Sequence, residues 1–220
     1  MSEYNITVEG GTSKRLLTAG KYCDRDIVVT ATGGGASREY ERVDYIQFDG
    51  NQVINTGIVC NQDTKAQIYF TRDTSESQYL YGVVSSGNTA SFTAYMSSNG
   101  AWRVGNKWTN RTIPVNPDLV NAAIVTKTGV VHNAGTSAIS GVTDFETPYA
   151  LALGGATQTD GTLDAQYVGK MLLFELWQGD ELVRKFVPVK RADGVYGFLD
   201  EVSGEFFASE TDTPFDGGNW

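Results

Sequence analysis

The chain has 220 residues, 17 Lys+Arg against 26 Asp+Glu for a formal charge of −9, one histidine and two cysteines. That length suits one generous domain with a small appendage; the negative field disfavours nucleic acid and anionic membrane surfaces, and so few His and Cys cannot build a zinc site. Hydrophobic residues at 40% and aromatics at 11% exclude a disordered chain, while 25 glycines against 5 prolines predict many tight turns.

In chain order, Tyr4-Asn5-Ile6-Thr7-Val8 alternates and stops at Gly10-Gly11, and Asp26 to Ala31 is a second β-branched run. Residues 1–32 therefore read as a small β unit, too short to bury a core alone and suited to attachment. A terminal hairpin of the main domain is the alternative. Residues 33–38, opening with Gly33-Gly34-Gly35, form a flexible linker. The opening residues lack the basic-then-apolar order of a secretory signal, and no apolar run is long enough to span a bilayer, so the product is expected to stay where it is made. Cys23 and Cys60 read as free thiols or small apolar fillers.

From Glu39 to Trp220 almost every segment has strand character. Tyr45 to Phe48, Gln52 to Ile54, Ala66 to Phe70, Tyr79 to Val84, Ser91 to Met96, Trp102 to Val104, Asn121 to Thr126, Val130 to His132 and Tyr149 to Leu153 are separated by Gly, Asn, Asp and Ser. Val168 to Trp177 and Leu182 to Val189 flank Gln178-Gly179-Asp180 and should form a hairpin, with Pro188 arguing for an edge or a strand end. Asp193-Gly194 and Ser203-Gly204 are further turns. From Asp193 onward every charged side chain is acidic, which reads as a solvated face. The fold class is all-β, a two-sheet sandwich or jelly roll.

Tyr45-Ile46-Gln47 followed by Asn55-Thr56-Gly57-Ile58, the Gly169 to Trp177 run, and Phe186-Val187-Pro188-Val189-Lys190-Arg191 through Phe206-Phe207 resemble the concanavalin A-like, laminin-G-like jelly rolls of bacteriophage virion and tail proteins. The stretch Leu17 to Ala31 likewise resembles short β modules near the start of phage structural proteins. The resemblance implies a concanavalin A-like jelly-roll β-sandwich over 39–220, preceded by the small N-terminal β unit. It further implies a protein made in the bacterial host cytoplasm and carried on the virion surface. Partners would be phage capsid or tail proteins through residues 1–32, with a homo-oligomer, a trimer by analogy with fibres.

Chemistry narrows the function. Glycan hydrolases on this fold need two carboxylates facing one cleft, and the strand that would supply them offers only Glu175. His132 has no oriented nucleophile and reads as a turn-flanking surface residue. Calcium is the one cofactor with candidate ligands, Asp160 and Asp164 in one loop and Asn61-Gln62-Asp63 in another, although turn chemistry explains both. Sugar binding needs exposed rings beside planar amides. Tyr95, Trp102, Asn106, Trp108 and Asn110 have that composition, with Trp108 the preferred ring. The reading is a non-enzymatic virion surface protein whose jelly roll adheres to a cell-surface or mucus glycan. A purely structural capsid decoration or head-fibre subunit is the alternative, and a glycan hydrolase a lesser one.

Overall fold

A computed structural model of the chain describes residues 39–97, 100–133 and 135–220. The expected attachment unit 1–32, the linker 33–38 and Cys23 lie outside the described residues. Those that are described form two sheets. The larger holds eleven strands: β1 (Tyr40–Arg42), β2 (Tyr45–Asp49), β4 (Thr64–Arg72), β9 (Asn116–Thr126), β10 (Gly129–His132), β11 (Gly135–Ala138), β15 (Val168–Gln178), β16 (Glu181–Arg191), β17 (Tyr196–Asp200), β18 (Phe206–Phe207) and β19 (Asp216–Gly218). The smaller holds eight: β3 (Ile54–Asn61), β5 (Gln78–Val83), β6 (Ser91–Met96), β7 (Gly100–Gly105), β8 (Lys107–Arg111), β12 (Glu146–Leu153), β13 (Gly155–Thr157) and β14 (Leu163–Ala165). Pairing is antiparallel except between β5 and β13.

Period-2 alternation decides which side chains go inward. In β4, Thr64, Ala66, Ile68 and Phe70 are buried while Lys65, Gln67 and Tyr69 are half-exposed. In β7, Trp102 and Val104 point in, Ala101 and Arg103 out. Phe48, Phe70, Phe174, Phe186 and Phe198 of the larger sheet meet Tyr81, Phe92 and Trp102 of the smaller in one core. The Tyr81 and Phe174 rings touch across the gap at 5.5 Å between centroids. Each such ring contributes about 2–3 kcal/mol by leaving water, and together they hold the sheets face to face as a jelly-roll sandwich.

Strand changes explain how eleven strands share one sheet. The second half of β15 pairs with β16, and its first half, Val168 to Met171, pairs with β2. In the same way β16 pairs with β15 up to Phe186 and with β1 from Val189. Pro188 occupies the junction. It is therefore neither on an edge strand nor at a strand end, as its missing donor had predicted. Its carbonyl accepts from the Val43 N–H at 3.2 Å, so the side that lacks a donor faces the point where β16 exchanges neighbours.

Two other expectations are corrected. His132 is 7% exposed, not on the surface, because β10 turns it inward beside Asn121, whose Oδ1 lies 3.2 Å from Nε2. The acidic C-terminal stretch is not simply a solvated face. Asp200 is fully buried, accepts from the backbone N–H of Lys185, Val202 and Ser203, and lies 3.4 Å from Arg184. Glu201 pairs with Lys185 at 2.7 Å and also with Arg42. The sequence places no cation after Asp193, yet antiparallel pairing brings β1 and β16 cations beside those carboxylates.

Candidate functional site

Register draws one line of side chains across the outer face of the smaller sheet. Trp108 in β8 is opposite Arg103 in β7, Arg103 is opposite Thr93 in β6, and Thr93 is opposite Gly82 in β5. Residues directly opposite in an antiparallel pair share a face, so these four lie away from the core. A Cβ placed on Gly82 would stand 3.2 Å from the Cβ of Ala156 in β13, and Ala156 is opposite Asp164 in β14. The line thus crosses six strands, in the order β8, β7, β6, β5, β13, β14.

A tight turn sets the near end of this register. Val104 pairs with Lys107, leaving the two-residue loop Gly105-Asn106. Gly105 has φ of +59°, which a hairpin of this length favours glycine to adopt, and a Cβ there would strike the Phe145 ring at 2.9 Å. Because 103 faces 108 across this turn, 102 must face the other way.

The centre of the line is covered by its own side chains. Gly82, Thr93 and Ala156 are all buried although none is in the main core cluster, and a Cβ on Gly82 would meet Thr93 at 3.2 Å and the Tyr79 ring at 3.4 Å as well as Ala156. Tyr79 and Tyr95 pair across β5 and β6 with ring centroids 4.8 Å apart. In the Ser86–Asn88 turn, Asn88 O accepts a long 3.5 Å bond from Arg103 Nη1. Burial first, then the neighbouring Tyr95 and Asp164 against the opposing Arg103, raise the Tyr79 pKa. Its hydroxyl therefore stays protonated at neutral pH and able to donate.

The two charged groups on this line keep hydrogen-bonding capacity. Asp164 accepts from Gln158 Nε2 at 3.0 Å and from Gln166 Nε2, both at Oδ2; among the described residues nothing bonds to Oδ1. Among the described residues Arg103 forms no ion pair, and its one hydrogen bond is that to Asn88. Trp108, 58% exposed, stands beside it. An open indole face with a guanidinium fork beside it can hold a polyhydroxylated ring, with C–H groups on the indole and hydroxyls on the guanidinium.

The sequence-predicted residues divide accordingly. Trp108, Tyr95 and Asn110 share this outer face, Asn110 reaching Tyr95 through Ala101 by register. Asn106 sits exposed in the hairpin turn. Trp102 is corrected: it is fully buried between the sheets and offers no face to a ligand. Asp160 and Asp164 act separately. Asp160 accepts from the Thr162 N–H at 3.0 Å and Thr162 Oγ1 at 2.6 Å, and those bonds hold its pKa below the ordinary carboxylate value. Among the described residues no three His, Cys, Asp or Glu side chains converge to hold a metal ion. In the other candidate loop Asp63 pairs with Lys127 at 2.6 Å. Sequence reasoning missed Arg103 and Tyr79 as site residues. Parity could have found Arg103, since it shares its face with Trp108 once the Gly105-Asn106 turn is recognised.

Glu175 faces outward from the larger sheet with Gln67 and Lys185 as its cross-strand neighbours, so no carboxylate stands opposite it. No helix among the described residues is long and apolar enough to cross a membrane.

No protein-family model matches the chain, and no curated protein sequence matches it. Solved structures similar to it include a native heptameric SAP-like pentraxin from Limulus polyphemus, at 11% identity and a TM-score of 0.47 over 62% of this chain and 76% of that one. Domains LG4-5 of the mouse laminin alpha1 chain are similar at 10% identity and a TM-score of 0.43, over 85% of this chain and 73% of that one. The chain's own strand order and register define it as an all-β, two-sheet jelly-roll sandwich.

Proposed function

We propose that this chain is a non-enzymatic binding module that holds a glycan against the outer face of its smaller sheet. One observation carries the reading: Arg103, held by a long bond to Asn88 O and by no ion pair to a described residue, stands opposite the exposed Trp108, and Asp164 Oδ1 accepts no bond from a described residue. Hydrolysis needs a second carboxylate within reach of the same bond, and Asp164 is alone on the line. Binding therefore accounts for the face better than catalysis does.

In its wider setting the protein is proposed to be a bacteriophage surface adhesin. Residues 1–32 would attach to capsid or tail proteins, and the sandwich would be displayed outward, in a homo-oligomer, toward a cell-surface or mucus glycan. The support is the resemblance of Tyr45 to Ile58 and Gly169 to Phe207 to virion modules.

The test is a glycan array probed with the full chain, with Trp108→Ala and with Arg103→Ala. Binding by the native chain that both variants lose at unchanged melting temperature is the expected result. A native chain that binds no glycan overturns the adhesin reading. If it nonetheless associates with particles through residues 1–32, it is a decoration subunit.

A further inference from the structure

We infer that the margin where β8 meets the β10–β11 hairpin is an oxyanion site, in which Arg111 and His132 together hold a sulfate, phosphate or carboxylate group. The site is separate from the proposed glycan face. Side chains alternate along β8, so Trp108 and Asn110 point outward and Arg111 points to the opposite side.

Register assembles the site. His132, the last residue of β10, stands opposite Gly135, the first of β11, so the two share a face. That face is the inward one, since Ala123, opposite His132 in β9, is buried in the core. A Cβ on Gly135 would overlap Arg111 Nη2 and stand 2.7 Å from Cζ, so the guanidinium occupies the space that glycine leaves. Directly opposite residues have Cβ positions about 5 Å apart, which puts the guanidinium and the imidazole within reach of one small oxyanion. β8 ends the smaller sheet and β11 ends the larger, so no strand of either sheet lies beyond them. Arg111 and Gly135 are only half-buried, and solvent reaches both.

The donors there lack acceptors. Arg111 Nε is enclosed without a hydrogen-bond partner, and none of the ion pairs among the described residues includes Arg111. A buried N–H without an acceptor is costly, and a guanidinium presents its donors in a fork that matches two oxygens of one anion. On His132, Nε2 lies 3.2 Å from Asn121 Oδ1. That oxygen is fixed as the acceptor, because Asn121 Nδ2 donates to Leu119 O at 3.2 Å and Asn133 Nδ2 donates to Oδ1 at 3.3 Å. Nε2 therefore carries the proton of the neutral ring. Nδ1, without a hydrogen bond to a described residue, takes the second proton and then donates. β9 presents Asn121 and Ala123 to the ring and β11 presents Gly135, none of them titratable, and the charge that acts on it is that of Arg111. Two cations repel across this margin, and an anion between them removes the repulsion. A bound oxyanion thus favours the imidazolium, so by linkage it raises the His132 midpoint and itself binds more tightly as pH falls.

His132 is the one histidine of the chain, so its imidazole C–H resonances are unambiguous in a proton NMR spectrum of the full protein. The experiment titrates pH in sodium chloride and in sodium sulfate at equal ionic strength, sulfate keeping its charge throughout. Sulfate should raise the His132 midpoint by about half a unit or more, equal to about a threefold preference for the protonated form. Arg111→Gln should abolish the rise, and Trp108→Ala should leave it intact. Equal midpoints in the two salts for the native chain overturn the site, whether or not the variants fold. A rise that folded Arg111→Gln retains overturns it too, since the ion then acts from elsewhere. Glucuronate and a hexose phosphate, substituted for sulfate, separate a carboxylate source from a phosphate one by which raises the midpoint further.

Discussion

The outer faces of the two sheets carry similar residue types but use them in opposite ways. On the larger sheet cross-strand neighbours satisfy one another. Lys65 Nζ lies 3.9 Å over the Trp177 ring, Lys185 and Arg42 both pair with Glu201, and Arg191 pairs with Asp193 at 2.6 Å while covering Phe206, which stacks on Tyr40. On the smaller sheet register sets Arg103 between Trp108 and Thr93, with no carboxylate opposite. Asp164 lies on the same line but across three intervening small residues, too distant to pair. A surface becomes a binding face through the capacity that its register leaves unengaged, and composition alone does not reveal it.

The sharpest contrast is between two tryptophans six residues apart. Trp102→Ala should cost about 3–5 kcal/mol in a urea titration, because a fully buried ring leaves a cavity. Trp108→Ala should leave that titration unchanged and abolish glycan binding. Equal destabilisation by both would break the distinction between the faces.

The carboxylates give the next contrast. Asp200→Ala removes a buried acceptor of several hydrogen bonds and the carboxylate paired with Arg184, and should destabilise by about 3 kcal/mol. Asp164→Asn should shift stability by about 0.5 kcal/mol or less, as a half-exposed group does. Differential scanning calorimetry of the pair decides whether the two acids differ as their surroundings require.

His132 tests the buried side of the larger sheet. Burial chiefly, with Arg111 second, holds its pKa below the ordinary 6.5. The folded state thus disfavours the imidazolium, so the stabilisation is complete above 6.5 and is lost as pH falls from there through the folded value. The urea midpoint should begin to drop as pH falls below 6.5, and His132→Gln should flatten that portion of the curve. Smallest is Lys65→Ala, which removes an exposed cation–π contact over Trp177 and should cost about 0.5–1 kcal/mol. A loss several times larger would mean that this face also supports the core.

Much of the sandwich was legible because strands announce themselves locally. The β15–β16 hairpin around Gln178-Gly179-Asp180, the turn after Arg191 and the turn before Phe206 were read from alternation and turn residues, which act between near neighbours. Pro188, His132 and Asp200 were misread for a shared reason. Each is set by a partner strand that the residue's own segment does not reveal: Pro188 by the distant β1 segment, His132 by Asn121 within the preceding strand β9, and Asp200 by Arg184 within the preceding strand β16.

The candidate site divides in the same way. Sequence alone determined the all-β class, the aromatic and amide content of the Tyr95 to Asn110 stretch and the single carboxylate, Glu175, of the Val168 to Trp177 run, since these depend on composition and local period. Tertiary structure alone decided that Trp102 belongs to the core, that Arg103 and Trp108 stand opposite each other on the outer face, and that Tyr79 packs against Tyr95 beside them. Those outcomes depend on which residue stands opposite which across six strands, a pairing fixed only when the hydrophobic face of each strand finds the common core.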